Sequence, residues 1–173
     1  MRDSYSEYMV KKKKTGKDIF FRVGAIVLAL FLTYILLGVF VSSVILEPFA
    51  LVGILGLWYG VYWVFAYTNV EYEYIVTNGE IDVDKIIAKR KRQRMLSIRR
   101  PQIEAITTAD HPTHKHLGEQ NIGGVVNATS GKKDAPVYLV VFTSDKMRGK
   151  LLFEPNEKMV GIFKQFIPGK VLL

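Results

Sequence analysis

VGAIVLALFLTYILLGVFVSSVILEPFALVGILGLWYGVYWVFAYTNV, residues 23–70, contains a single charged side chain, Glu47, and no Lys or Arg occurs anywhere between Arg22 and Lys85. About 20 consecutive apolar residues suffice to cross the hydrocarbon core of a bilayer, and this stretch holds two such runs. The first reads as residues 19–46 and the second as 49–67. Glu47-Pro48 separates them, because Pro offers no backbone donor to a continuing helix and Glu prefers water. A secretory leader has one short apolar run, so two runs argue against it. A soluble helical hairpin would need polar outward faces, and few polar residues are present to make them.

Trp58, Tyr59, Tyr62, Trp63 and Tyr67 favour the membrane–water interface and mark the exit of the second span. Lys11, Lys12, Lys13, Lys14, Lys17 and Arg22 precede the first span, the connecting turn has no Lys or Arg, and many follow the second. The positive-inside rule therefore predicts a multi-pass protein of the cell membrane with both termini cytoplasmic. Gly53, Gly56 and Gly60 in GILGLWYG allow close helix packing, within the hairpin or in a homodimer. Neither span carries a charge near its centre, where pumps and ion pathways place ionisable groups, so the pair reads as an anchor.

Outward from the spans, residues 1–18 read as a basic cytoplasmic N-terminus and residues 69–173 as one soluble domain. The formal charge of +8 lies almost wholly in these flanks. With no cysteine, the chain has no disulfide and no thiolate metal ligand. Val70–Thr77 alternates apolar and polar residues, Asn78-Gly79 tolerates positive φ, and Glu80–Asp84 alternates again, which predicts a two-residue β-hairpin. Met95, Ile98, Ile103 and Ile106 suggest short strands, residues 137–143 a central strand, and residues 150–153 the next, for six or seven in all. Residues 107–136 read as a long polar loop. A helix is expected over 156–167, capped by Asn156, with Glu157 at its positive end and Pro168-Gly169 stopping it. The fold class is thus a membrane α-helical hairpin plus a mainly β soluble domain, a barrel or bent sheet closed by a C-terminal helix.

NVEYEYIVTNGEIDVDKIIAKRKRQRMLSIRRPQIEAI, preceded by a two-helix hairpin and ended by FEPNEKMVGIFKQFIP, resembles bacterial membrane proteins that carry a pleckstrin-homology-like (PH-like) domain. It is similar in particular to an uncharacterised family with a domain-of-unknown-function label, this N-terminal lysine cluster and paired spans. The resemblance covers nearly the whole chain. It implies a PH-like fold for the soluble domain and brings no activity.

Several constellations are candidates for chemistry. Lys89, Arg90, Lys91, Arg92 and Arg94, with Lys11, Lys12, Lys13 and Lys14, are placed to meet the anionic lipids of the inner leaflet, at about 1 kcal/mol for each cation near the surface. Topology signalling by the same charges needs no ligand. Nucleic acid is not expected as a partner, because the basic run lacks interleaved aromatics for base stacking. His111, His114 and His116 are the only histidines and weak candidates for a metal site, since they fall in a loop with few carboxylates to orient them. Asp82, Asp84 and Glu80 share one strand face and read as the wet side of a hairpin. There is no G-x-S-x-G, no G-x-x-x-x-G-K and no H-E-x-x-H, and neither a catalytic residue nor a cofactor is expected. The reading is a non-enzymatic, membrane-anchored interaction module for protein or lipid contact. The alternatives are an accessory subunit of a transporter or other membrane complex, and a membrane-tethered enzyme with a His-loop metal site.

Overall fold

The computed structural model describes residues 4–42, 45, 47–110, 123–144 and 147–173. These form two compact units, one of Met1–Lys13, Val70–Ile86 and Arg90–Leu173, the other of Lys14–Asn69 with Ile87–Lys89.

The first unit is β-rich. Among the described residues it has a four-stranded sheet, in the order β1 (Tyr5–Lys11), β2 (Val70–Thr77), β3 (Glu80–Ile87), β4 (Lys91–Ile98). A second sheet has five strands, β5 (Ile103–Thr108), β6 (Gly124–Asn127), β7 (Tyr138–Ser144), β8 (Met147–Phe153) and β9 (Val171–Leu172), in the order β6-β8-β7-β5-β9. The predicted hairpin is present, with Asn78 at φ 51° and Gly79 at φ 83° between β2 and β3. A Cβ on Gly79 would lie 2.9 Å from the Phe166 Cβ, so glycine is required there by packing as well as by φ.

The nine strands among the described residues exceed the six or seven expected, because β1, β6 and the two-residue β9, which pairs parallel with β5, were not read from the sequence. Tyr5–Lys11, read as basic N-terminus, pairs antiparallel with β2 in the register Tyr5↔Thr77 to Lys11↔Glu71. Only Ser6 and Val10 of this strand are buried, so it has little of the apolar alternation that identifies strands. Of the stretch 107–136, residues 111–122 lie outside the described residues, and the remainder is less of a loop than its polarity suggests. Thr107 and Thr108 complete β5, and Gly124–Asn127 pairs parallel with β8. Ala128 then donates to the Leu152 carbonyl at 2.9 Å and accepts from the buried Tyr74 hydroxyl. Burial pushes the Tyr74 phenol up, which keeps that hydroxyl a donor.

The core lies among both sheets and α3 (Glu157–Phe166), whose buried residues are Met159, Ile162 and Phe163. Phe153 sits at its centre, edge-on to Tyr74 (5.5 Å) and Phe163 (6.4 Å), the geometry aromatic quadrupoles favour. Asn156 caps α3, accepting from the Met159 amide at 2.9 Å as its sequence position predicts. The Gly149 backbone passes against the Phe142 ring, where an added Cβ would come within 2.5 Å of the ring.

The second unit holds α1 (Gly16–Ser42) and α2 (Glu47–Tyr67). The first begins earlier than expected, because Thr15 and Asp18 form a capping box. The Thr15 amide donates to Asp18 Oδ2 at 2.8 Å and the Asp18 amide to Thr15 Oγ1 at 3.4 Å. Residues Gly16–Gly38 and Pro48–Tyr67 are long and apolar enough to cross a membrane. Ala29 and Ala50 are buried, and Gly53 faces Leu36, at 3.3 Å from a built Cβ. Nothing lies within 4 Å of a Cβ built on Gly56 or Gly60. Tyr59, Tyr62, Trp63 and Tyr67 form a ladder of ring contacts along α2.

Candidate functional site

The cationic residues singled out from sequence fall into groups with different surroundings. Lys11, Lys12, Lys13 and Lys14 have exposed side chains on a fixed backbone. The Lys12 amide donates to the Val70 carbonyl at 3.0 Å and the Lys13 amide to the Ser130 carbonyl at 2.7 Å. Ser130 is itself locked, its amide and hydroxyl both donating to Glu154 Oε1 at 2.7 and 2.8 Å, with Glu154 and Ser130 both buried. A buried carboxylate with two donors is well compensated. The turn that follows carries Lys132 and Lys133, both exposed, so the Lys13–Ser130 bond brings a second lysine pair beside the first. Sequence reasoning missed these two, because the long-range backbone hydrogen bond that brings residue 13 to residue 130 leaves no local signal.

In the basic run, Lys89, Arg90 and Lys91 are exposed, while Arg92 and Arg94 meet carboxylates across the sheet. Arg92 pairs with Glu73 and lies 3.8 Å from Asp84, and Arg94 lies 3.1 Å from Asp84 and 3.6 Å from Asp82. Glu73 and Asp84 are buried, so this face of the sheet is not the open wet side expected for its acidic residues. Burial, and a hydrogen bond shared with Glu7, raise the Glu73 carboxyl above the usual carboxylate range. Glu7, which accepts from the Tyr5 hydroxyl at 2.6 Å and from Glu73, is lowered.

Within the helical unit, Arg22 clamps the two helices at one end. Its Nε donates to Thr68 Oγ1 at 2.7 Å, and Nη2 reaches the Phe65 carbonyl and Asn69 Oδ1, each at 3.1 Å. The guanidinium carbon also lies 4.8 Å from the Phe65 ring centroid. The Asn69 carbonyl accepts from the Ala88 amide at 2.9 Å, which holds the turn bearing Lys89 beside the end of α2. Ala88 and Lys89 both adopt positive φ in this turn.

A sheet of four meandering strands, a second sheet and a C-terminal helix are the parts of a PH-like fold. The profile described as bacterial PH-like domain (DUF6106) matches residues 2–173, taking in both helices and every strand. The chain belongs to this family. No curated protein and no solved structure matches it. DUF6106 is a PH-like domain of unknown function, as the sequence resemblance implied.

Among the described residues of this DUF6106 chain, chemistry beyond charge is sparse. Among the described residues, no group of three or more His, Asp or Glu side chains is arranged to hold a metal. His111, His114 and His116 lie outside the described residues. An open groove of about 440 Å³ lies against α3, with Glu157 and Lys164 among its lining residues and no lining residue paired as nucleophile and base.

Proposed function

We propose that the chain is a non-enzymatic, membrane-anchored interaction module, in which a two-span hairpin holds the PH-like domain at the cytoplasmic face and exposed lysines meet anionic headgroups. One observation carries the reading: the whole hairpin lies in the connection between β1 and β2, which are hydrogen-bonded neighbours. Two such strands share a compartment, so the chain between them crosses a bilayer an even number of times or not at all. Two apolar helices satisfy that condition. Phe20, Tyr34 and Phe49 are each more than 70% exposed, a wide apolar surface that water does not tolerate and lipid does. The lysine asymmetry then supports the cytoplasm as the shared compartment.

For lipid contact the relevant side chains are Lys11 to Lys14 where the chain approaches α1, Lys89 beside the end of α2, and Lys132 with Lys133. Arg92 and Arg94 have carboxylate partners and contribute less. The test uses the full chain, because a fragment starting at Asn69 would lack β1. The protein has no cysteine, so Lys89→Cys and Lys13→Cys each give one site for a nitroxide label. In nanodiscs, replacing zwitterionic by anionic lipid is expected to lower the labels' accessibility to an aqueous relaxant, and salt to restore it. Equal accessibility in both lipids would remove lipid contact from the proposal. A reporter at Leu173 that works only outside the cell is expected to stay silent.

A second reading, an accessory subunit of a membrane complex, is favoured by Gly56 and Gly60, which leave an open small-residue face on α2. Co-purification with a defined larger membrane protein, lost in Gly56→Leu, tests it.

A further inference from the structure

Arg99, Arg100 and Lys170 belong to neither the lysine cluster nor the paired strand face. They line an open groove of about 490 Å³ together with Glu80 and Phe166. The groove adjoins the Asn78-Gly79 turn, at the end of β2 remote from Val70. At about 3.3 Å per residue the strand puts roughly 25 Å between its two ends, and Lys12 is bonded at the Val70 end.

The cationic side is held in place. The Arg99 amide donates to Gln102 Oε1 at 2.8 Å, which pins the single turn of 3₁₀ helix over Arg100–Gln102. Lys170 Nζ donates to the Arg100 carbonyl at 3.1 Å. The Arg100 guanidinium carbon lies 5.9 Å from the Phe166 ring centroid, and a Cβ on Gly79 would come within 3.2 Å of the Arg100 side chain. Among the described residues no carboxylate pairs with Arg99 or Arg100. Glu80 contributes one negative charge and the carbonyl end of α3 about half of one, which against the three cations leaves an excess of about one and a half.

We propose that this groove binds a phosphate monoester, either free in solution or carried as a lipid headgroup. A phosphate monoester has a charge of about −1.5 to −2 near neutral pH, which the groove's excess matches. Adjacent guanidiniums suit phosphate oxygens, because each presents a rigid fork of donors. A phosphodiester, with one charge and fewer free oxygens, fits the same cations less well.

The experiment is calorimetric titration of the full chain, in nanodiscs of phosphatidylcholine, with glycerol 3-phosphate. A parallel arm measures retention of phosphatidic acid against phosphatidylglycerol by native mass spectrometry of mixed-lipid nanodiscs. Saturable glycerol 3-phosphate binding, weakened at least about tenfold in R99Q/R100Q because each lost guanidinium removes one or more charge-assisted hydrogen bonds, supports a free ligand. Preferential retention of phosphatidic acid that depends on the same arginines supports the headgroup. If the double variant fails to fold, K170Q decides, with a smaller loss expected and an unchanged affinity overturning the site. Absence of both bindings, or binding that survives R99Q/R100Q and is lost in K13Q/K132Q, also overturns it. The phosphatidylcholine arm contains no anionic lipid, so its outcome is independent of the lysine–lipid reading.

Discussion

Glu73, 1% exposed, shares one strand face with Glu7, Asp84 and Arg92, and its carboxyl is raised by burial first and by the bond to Glu7 second. A raised carboxyl binds its proton more tightly folded than unfolded. Its contribution is therefore full below the ordinary glutamate range and is lost as pH rises through the folded value. Glu7 has the opposite sign, since a lowered carboxyl contributes above its ordinary range and loses that contribution as pH falls. Glu73→Gln keeps a donor toward Glu7 and cannot ionise. Thermal unfolding followed by circular dichroism from pH 4.5 to 8 is expected to show a decline for the natural chain above the ordinary glutamate range, and a flatter profile for the variant. Identical profiles would remove Glu73 as the titrating group. Arg22 makes three hydrogen bonds to the far end of α2, and bonds to a charged donor are worth about 1.5–3 kcal/mol each. Arg22→Leu is expected to lower the detergent midpoint of hairpin opening clearly, and Arg22→Lys, with no planar fork, to lie between.

At the scale of elements, α3 and the β2–β3 hairpin were legible in the sequence because their signals are local: a cap, an amphipathic face, two residues that tolerate positive φ. Asn156→Ala removes the bond to the Met159 amide and is expected to cost about 1 kcal/mol, read as a lowered unfolding temperature. The elements that were missed are those whose signal is long-range. β1 has only two buried residues and forms on the template of β2, and β6 is four residues paired to β8. The same holds for the candidate sites. The charge of the basic run could be read, whereas the neutralisation of Arg92 and Arg94 depends on register between strands, and the meeting of Lys13 with Ser130 on a contact across more than a hundred residues. Gly56 and Gly60 show the limit of a spacing motif, since of the three glycines only Gly53 meets α1 within 4 Å.

At the scale of the whole molecule, the insertion of α1 and α2 between paired strands makes spanning and folding conditional on one another. Lys11 lies opposite Glu71, and the Lys12 amide bonds to Val70, so the two ends of the insertion are neighbours in the β unit. A short turn can join adjacent antiparallel strands. Replacing residues 14–69 with four Gly and Ser residues is therefore expected to leave a soluble domain that unfolds cooperatively, with dispersed amide resonances. Deleting only residues 48–67 retains one span and would separate β1 from β2 by a bilayer. That variant is expected to lose β1, exposing the β2 edge as a template for aggregation, and to be degraded or recovered as aggregates from membranes. The double deletion controls for shortening the chain, since it removes more residues and is expected to fold better. If the single-span variant instead yields a monomeric, cooperatively folded β unit, the helices do not cross the bilayer, and the anchoring function fails with them.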